Sequence, residues 1–94
     1  MRDEKIVKSS GNVFADLGFS AEDSAVLTMR AELMASLRTI IDKKRWTQVE
    51  AAQHLGISQS RVSDLVRGKW EKFSLDMLVN LVARSGRKIK LAVV

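Results

Sequence analysis

The sequence of 94 residues contains no cysteine and no proline, and its single histidine, His54, is expected to be an exposed helical residue. The absence of cysteine excludes disulfides, thiolate metal sites and cysteine nucleophiles, and it suits a reducing cytoplasm. One histidine cannot form a histidine-rich metal site, and we expect no cofactor. Because proline is absent, every break between helices is expected at glycine and capping residues.

Long apolar runs are also missing. No run approaches the ~20 residues of a membrane span, and residues 1–10 lack the apolar core of a signal peptide. We therefore expect a soluble, cytoplasmic protein that does not contact a membrane. No carboxylate pair, Ser/His/Asp set or glycine-rich phosphate loop is evident, so we expect no enzyme activity. A chain of this length is expected to form one small domain that buries about 60–65% of its unfolded surface.

The net charge of +5 is unevenly distributed along the chain. Residues 1–42 contain five basic and seven acidic side chains, a balance of −2, whereas residues 43–94 contain eleven basic and four acidic ones, a balance of +7. A basic half of this kind suggests a polyanionic partner. The alternative is a soluble protein that simply has a high isoelectric point.

A long helix is predicted from Ser20 to about Lys43. Ser20 followed by Asp23 is an N-terminal capping pattern, and apolar residues then recur at spacings of three and four. This first stripe consists of Val26, Met29, Leu33, Leu37 and Ile40. A second stripe, which either is covered within the same domain or meets another subunit, consists of Leu27, Met34 and Ile41. Residues 1–19 have no helical period, and we expect a flexible arm there.

Two short helices joined by a glycine turn are predicted within residues 47–69. Thr47 and Glu50 form a capping box, and Gly56 is expected to end the first helix in the left-handed conformation. Ser58 is expected to cap the second helix, which ends at a further glycine. The apolar positions expected to face the core are Val49, Ala52, Leu55, Val62, Leu65 and Val66. The aromatic residues expected to pack against the core or anchor a loop are Trp46, Trp70 and Phe73.

The outer face of the second short helix differs from an ordinary solvated surface. Its side chains are mostly short and form hydrogen bonds, where a mixture of lysine and glutamate would be usual. Two short helices joined by a tight turn form a helix-turn-helix, whose second helix enters the DNA major groove. Glutamine suits adenine there, arginine suits guanine, and aspartate suits the cytosine amino group. The predicted base-reading residues are Gln59, Ser60, Arg61, Ser63 and Asp64.

The end of the chain changes from a helical period to a period of two. A further helix is predicted over residues 74–85, and apolar residues alternate with lysine or alanine after it. The alternating apolar residues are Ile89, Leu91 and Val93. This pattern predicts a strand at residues 88–94, which needs a pairing partner. The partner is either residues 5–8 of the same chain or the same strand of a second copy, which would give a symmetric homodimer.

The sequence TQVEAAQHLGISQSRVSDLVRG carries a family resemblance. It resembles the helix-turn-helix of phage repressors and Cro, the XRE family. GNVFADLGFS before a long helix, FSLDMLVNLV and a lysine-rich terminal strand resemble a subgroup of that family, the HigA-type antitoxins. The resemblance implies a mainly α, phage-repressor-like bundle of four to five helices, with a short C-terminal β-strand paired across a dimer. It also implies a DNA-binding protein that represses its own operon and neutralises a RelE-like toxin.

The resemblance also assigns roles to individual positions. Gln59 and Ser60 match a base-reading pair, and Asp64 matches a later groove-facing position. A carboxylate at this position departs from the phage-repressor pattern. Because phosphate repels a carboxylate, Asp64 is expected to hold Arg61 or Arg67 in place. The residues expected to contact phosphate are Gln48, Ser58, Arg67 and Lys69. Ser58 belongs to this set because a helix N-terminus carries a partial positive charge.

These predictions divide the chain into an arm at residues 1–19, a helix-turn-helix domain at residues 20–87 and a dimerisation strand at residues 88–94. The expected partners are double-stranded DNA with an inverted-repeat operator, a second copy of the chain, and a RelE-like toxin bound by the arm or the first helix. Two alternatives remain. One is a solitary regulator without a toxin, and the other is a protein-binding module whose basic face serves an acidic partner.

Overall fold

The computed structural model describes residues 13–94, which are mainly helical. A 3-10 turn at Trp70–Lys72 lies between the last two helices. The α-helices within this range are α1 (Val13–Asp16), α2 (Ala21–Lys44), α3 (Gln48–Leu55), α4 (Gln59–Val66) and α5 (Leu75–Arg84). The prediction of a mainly α bundle of four to five helices is confirmed.

Helix α2 begins where the capping pattern predicts, and its second apolar stripe lies in the core. The Ser20 hydroxyl oxygen accepts a hydrogen bond from the backbone N–H of Asp23 at 3.1 Å. Leu27, Met34 and Ile41 are only 6%, 1% and 7% exposed. Because this single chain already covers them, the alternative in which they meet another subunit is wrong.

The first apolar stripe of α2 is buried only in part. Leu37 and Ile40 belong to the core, whereas Val26 and Met29 are 39% and 40% exposed. Neighbouring positions on a helix are about 100° apart, so the two stripes cover a wide face. The rest of the chain covers both stripes only along the C-terminal half of α2. An apolar surface therefore remains exposed near its N-terminus.

The turn between α3 and α4 has the predicted geometry. The Thr47 N–H donates to Glu50 Oε1 at 2.8 Å and the Glu50 N–H donates to Thr47 Oγ1 at 3.1 Å, which completes the capping box. Gly56 follows α3 with a φ of 68°, a conformation that strains residues with a β-carbon. The Ser58 hydroxyl oxygen then accepts a hydrogen bond from the Arg61 N–H at 3.1 Å and caps α4.

The core lies where α2, α3, α4 and α5 meet. Its buried side chains are Met34, Leu37, Ile40, Ile41, Ala51, Leu55, Val62, Leu65, Phe73, Leu78, Leu81 and Val82. At three positions the observed burial differs from the prediction. Val49 and Val66 are exposed, and Ala51 is fully buried while Ala52 is only half-buried. Helices of eight residues make about two turns, so a residue near either end extends past the neighbouring helix.

The connection from α4 to α5 is anchored by an aromatic side chain. Gly68 adopts a φ of 75°, and the 3-10 turn begins two residues later at Trp70. Phe73 is 1% exposed, which confirms its predicted role as an anchor, and Trp70 is half-buried. The Ser74 hydroxyl oxygen accepts a hydrogen bond from the Met77 N–H at 3.1 Å, so α5 begins as predicted.

Part of the predicted flexible arm is helical and packs on the domain. Val13–Asp16 forms the short helix α1. The ring of Phe14 meets the ring of Trp70 edge to face with centroids 5.6 Å apart, and Phe19 meets Trp70 at 6.5 Å. The sequence did not indicate this order because the contact that provides it joins residues far apart in the chain. The rest of the predicted arm, residues 1–12, lies outside the described residues.

The predicted C-terminal strand is absent from the described part of the chain. Residues 88–94 have no regular secondary structure, and Ile89, Leu91 and Val93 are 42%, 77% and 94% exposed. The strand prediction is therefore wrong for the single chain. The physical reason is that a strand exists only as part of a hydrogen-bonded ladder. One proposed partner, residues 5–8, lies outside the described residues, and pairing with a second copy stays a prediction.

Candidate nucleic-acid interface

The first turn of α4 presents polar side chains at the surface. Ser58 has extended backbone angles, φ −72° and ψ 158°, so the chain enters α4 sharply and the helix begins at Gln59. Gln59 and Ser60 are exposed, and Ser63, one turn later, is half-buried. These three side chains can all donate and accept hydrogen bonds, as reading base edges requires.

The start of α3 lies beside this surface. Gln48, Gln59, Ser60 and Ser63 line one open depression of about 300 Å³. The structure thus brings three predicted base-reading residues together with one predicted phosphate-contacting residue. The capping box of Thr47 fixes the backbone position of Gln48, which is the first residue of α3. We call these four residues the polar face.

Arg61 does not join the polar face. Its Nη1 donates a hydrogen bond to the backbone carbonyl oxygen of Lys72 at 2.9 Å and contacts Met77 Sδ at 3.6 Å. The guanidinium carbon also lies 5.6 Å from the centre of the Phe73 ring. Arg61 therefore points towards the 3-10 turn and α5, and the structure does not bring it together with Gln59.

Asp64 has a different partner from the two arginines named in the prediction. Its Oδ1 lies 3.9 Å from Lys69 Nζ, and its backbone carbonyl oxygen accepts a hydrogen bond from the Lys69 N–H at 3.0 Å. Both side chains are partly exposed, so the ion pair is worth little to stability. Its geometry nevertheless places an ammonium group close to the carboxylate. The local charge that DNA would meet here is therefore close to neutral.

The other predicted phosphate-contacting residues lie at opposite ends of α4. Ser58 is exposed at the N-terminus, where its oxygen already accepts the Arg61 N–H while its own O–H can donate. Arg67 is exposed at the C-terminus and precedes Gly68. The two side chains therefore flank the surface that would enter a groove.

A basic segment before α3 was not among the predicted site residues. Lys43, Lys44 and Arg45 are exposed at the end of α2 and in the turn after it. Their ordinary role is to offset the partial negative charge of a helix C-terminus. Lys44 Nζ also lies 5.6 Å from the centre of the Trp46 ring. The signal in the sequence was the run KKR immediately before the motif.

Trp46 forms a ring stack that the sequence did not indicate. It is half-buried against the core, and its ring is parallel to the His54 ring within 9°, with centroids 4.2 Å apart. His54 is exposed, as expected, but it covers one side of the indole. The stack joins the segment before α3 to the last turn of α3.

Residues 13–94 contain neither a metal-binding cluster nor a membrane-spanning helix. No group of three or more histidine, aspartate or glutamate side chains in this range is placed to hold a metal ion. In the same range, no helix has both the length and the apolar character needed to cross a membrane.

The fold and the polar face define a helix-turn-helix protein of the DNA-binding class. The profile of a family described as "Helix-turn-helix domain" matches residues 13–94. A solved structure named as an XRE family transcriptional regulator superposes with a TM-score of 0.71 at 31% sequence identity, covering 76% of this chain and 80% of that chain. No curated protein matches the sequence. The chain belongs to the XRE-type helix-turn-helix family of transcriptional regulators.

Proposed function

We propose that this regulator binds an inverted-repeat operator in its own promoter as a homodimer and acts as an antitoxin. The observation that carries the operator proposal is the polar face, in which Gln48 of α3 and Gln59, Ser60 and Ser63 of α4 share one open depression. A helix-turn-helix uses the same two elements on DNA, the first helix at the backbone and the second in the major groove.

Base reading is assigned to exposed and half-buried polar side chains of α4. Gln59 can form a bidentate pair with adenine, while Ser60 and Ser63 can donate or accept at a base edge. Asp64 can accept from a cytosine amino group, and the nearby Lys69 ammonium reduces its repulsion from phosphate. An α-helix with its side chains is about 10–12 Å in diameter, which fits a major groove about 12 Å wide, so α4 can enter the groove.

Phosphate contacts are assigned to side chains around that helix. Gln48 and Ser58 carry donors at the N-terminal ends of α3 and α4, where exposed backbone N–H groups also favour an anion. Arg67 and Lys69 supply positive charge beyond the C-terminal end of α4. Contacts at both ends would fix the register of α4 in the groove without reading sequence.

A homodimer is proposed because a single copy of the chain carries only one recognition helix. One α4 helix covers only half of an operator, so two copies related by a two-fold axis would read half-sites about 34 Å apart. The C-terminal tail, residues 88–94, supports this proposal because its alternating apolar side chains are exposed in the single chain. Pairing two tails in antiparallel fashion would satisfy their backbone groups and cover those side chains.

Gel-shift titration against the native upstream region tests the operator proposal. The wild-type chain is expected to bind that region more tightly than a random duplex at physiological salt. Gln59→Ala should cost about 1–3 kcal/mol on the operator and little on random DNA. Gln53→Ala is the matched control, since Gln53 is an exposed glutamine on α3 outside the polar face. Equal affinity of the wild type for both duplexes would contradict operator recognition.

The antitoxin proposal is supported by the surface at the N-terminal end of α2 and in the segment before it. Exposed apolar side chains concentrate there, and they are Val13, Leu17, Phe19, Val26 and Met29. Exposed acidic side chains, namely Asp16, Glu22 and Asp23, lie along the same segment. An apolar and acidic surface fits a small basic protein, the chemistry of a RelE-like toxin. It lies on chain segments separate from the polar face, so toxin and DNA could bind together.

Co-expression with the neighbouring reading frame tests this part. If that frame encodes a small basic toxin, the full chain should restore growth, and a chain lacking residues 1–19 should not. Leu17→Arg should weaken the complex while leaving operator binding intact. Val79→Arg, which alters an exposed apolar residue on α5, is the matched control. The absence of any toxin beside the gene would favour the solitary regulator.

A further inference from the structure

Arg61 occupies an unusual position for a polar residue in the first turn of a recognition helix. It follows Gln59 and Ser60 directly, yet it is half-buried and turned away from them. Its Nη1 lies 2.9 Å from the carbonyl oxygen of Lys72 and 3.6 Å from Met77 Sδ. One side chain of α4 therefore connects that helix to the 3-10 turn and to α5.

The chemistry of these contacts favours arginine in particular. A carbonyl at the end of a 3-10 turn lacks a partner within the turn, and a charged donor satisfies it with a stronger bond than a neutral one. The planar guanidinium also lies 5.6 Å from the centre of the Phe73 ring, where a cation is attracted to the aromatic face. Lysine carries the same charge but cannot reproduce the forked, planar geometry.

We propose that Arg61 is a positioning residue that sets the orientation of α4 for base reading and does not itself contact a base. This inference rests on the proposed operator function. Phe73 is 1% exposed and belongs to the core, so the contacts of Arg61 connect α4 to a rigid part of the fold. Rotation of α4 about its axis would move Gln59 away from Gln48 and disrupt the polar face.

A base-reading role would require these contacts to break. The guanidinium would have to leave the Lys72 carbonyl, the Phe73 ring and the Met77 sulfur before reaching the groove. The carbonyl would then lose its hydrogen bond to a charged donor, which is stronger than a bond to a neutral one. Gln59, Ser60 and Ser63 need no such rearrangement, because they are already directed into the open depression.

Nuclear magnetic resonance of the guanidinium groups in the free protein tests the geometry without DNA. Arg61 should show restricted rotation of its terminal N–H groups and slowed exchange with solvent. Arg67, which is exposed in the same segment, is the internal control and should show averaged signals. If the guanidinium signals of Arg61 are averaged as fully as those of Arg67, the positioning role is overturned.

Operator titrations then separate positioning from base contact. Arg61→Lys should weaken operator binding by about five- to a hundredfold, the range of a lost base contact, with an unchanged dependence on salt. The loss should be the same on operators carrying each single base-pair substitution. A loss that disappears on one substituted operator would identify the base that Arg61 reads and would overturn the proposal. Binding as tight as that of the wild type would also overturn it.

Two controls keep the outcomes distinguishable. Thermal melting establishes that Arg61→Lys is folded, and Met77→Leu removes the sulfur acceptor at nearly constant volume. Met77→Leu should shift operator affinity in the same direction by a smaller factor, and an increase in affinity would contradict the proposal. If the wild type shows no preference for its upstream region, the operator function fails. The resonance experiment then decides the placement of Arg61 alone.

Discussion

The guanidinium of Arg84, in the last residue of α5, donates a hydrogen bond from Nη1 to the backbone carbonyl oxygen of Leu55 at 3.0 Å. Leu55 is the last residue of α3, so no backbone N–H within that helix donates to its carbonyl oxygen. A β-carbon on the next residue, Gly56, would lie 3.5 Å from the same Nη1. The last residue of α5 therefore contacts the turn between α3 and α4 and helps to fix its position.

Replacing Arg84 should destabilise the fold. Arg84→Ala leaves the Leu55 carbonyl without this donor, and we expect the free energy of unfolding to fall by about 1 kcal/mol. Urea denaturation followed by circular dichroism measures this. The matched control is Arg87→Ala, which alters an exposed arginine just beyond α5. Equal denaturation midpoints for the two variants would contradict a structural role for the Arg84 contact.

The aromatic contact of Phe14 should determine the order of the N-terminal segment. Phe14→Ala removes an edge-to-face contact with Trp70. Such an aromatic pair contributes about 0.5–1.5 kcal/mol beyond the effect of the area that it buries. Backbone amides of residues 13–19 should then exchange faster with solvent while amides of the core remain protected. Val13→Ala, at a highly exposed position of the same helix, should change little. Unchanged exchange in the Phe14 variant would mean that other contacts hold α1.

Lys69 should contribute to DNA affinity without contributing to sequence preference. Lys69→Ala is expected to weaken binding to operator and random duplex alike and to lower the slope of log affinity against log salt by about one unit. The variant also removes the ammonium that lies 3.9 Å from Asp64. Arg87→Ala, at an exposed arginine between α5 and the C-terminal tail, serves as the control for a simple loss of charge. A loss confined to the operator would reassign Lys69 to base reading.

Removal of the C-terminal tail should affect DNA binding from a distance. Truncation after Arg87 deletes residues 88–94, and we expect monomers or a loosened dimer whose operator affinity falls by at least about tenfold. Sedimentation measures the first effect and gel shift the second. A stable dimer with unchanged affinity would place the subunit contact elsewhere. Leu27, Met34 and Ile41 could not provide it, because they are buried in the single chain.

The positions where helices begin were predictable from the sequence. Ser20, Thr47, Ser58 and Ser74 each accept a hydrogen bond from a backbone N–H three residues later. Such a cap needs only neighbours in the chain, and so does the left-handed residue at Gly56 that ends α3. The helix-turn-helix and the polar character of its outer face were recognisable for the same reason.

The faces that the helices bury were only partly predictable. Periodicity identified two stripes on α2, but only packing against the rest of the chain decided that Leu27, Met34 and Ile41 would be covered and that Val26 and Met29 would not. Val66 follows the apolar pattern of α4 and is nevertheless exposed. Periodicity shows which residues share a face, whereas burial depends on where the neighbouring helix ends.

The direction of Arg61 was decided by tertiary structure alone. Its sequence neighbours, Gln59 and Ser60, suggested a base-reading role, but its partners lie 11 and 16 residues further along the chain. Local sequence determines which side chains can form hydrogen bonds, because that property belongs to the side chain itself. The acceptor that each one meets depends on which distant segments the fold brings within about 3 Å of it.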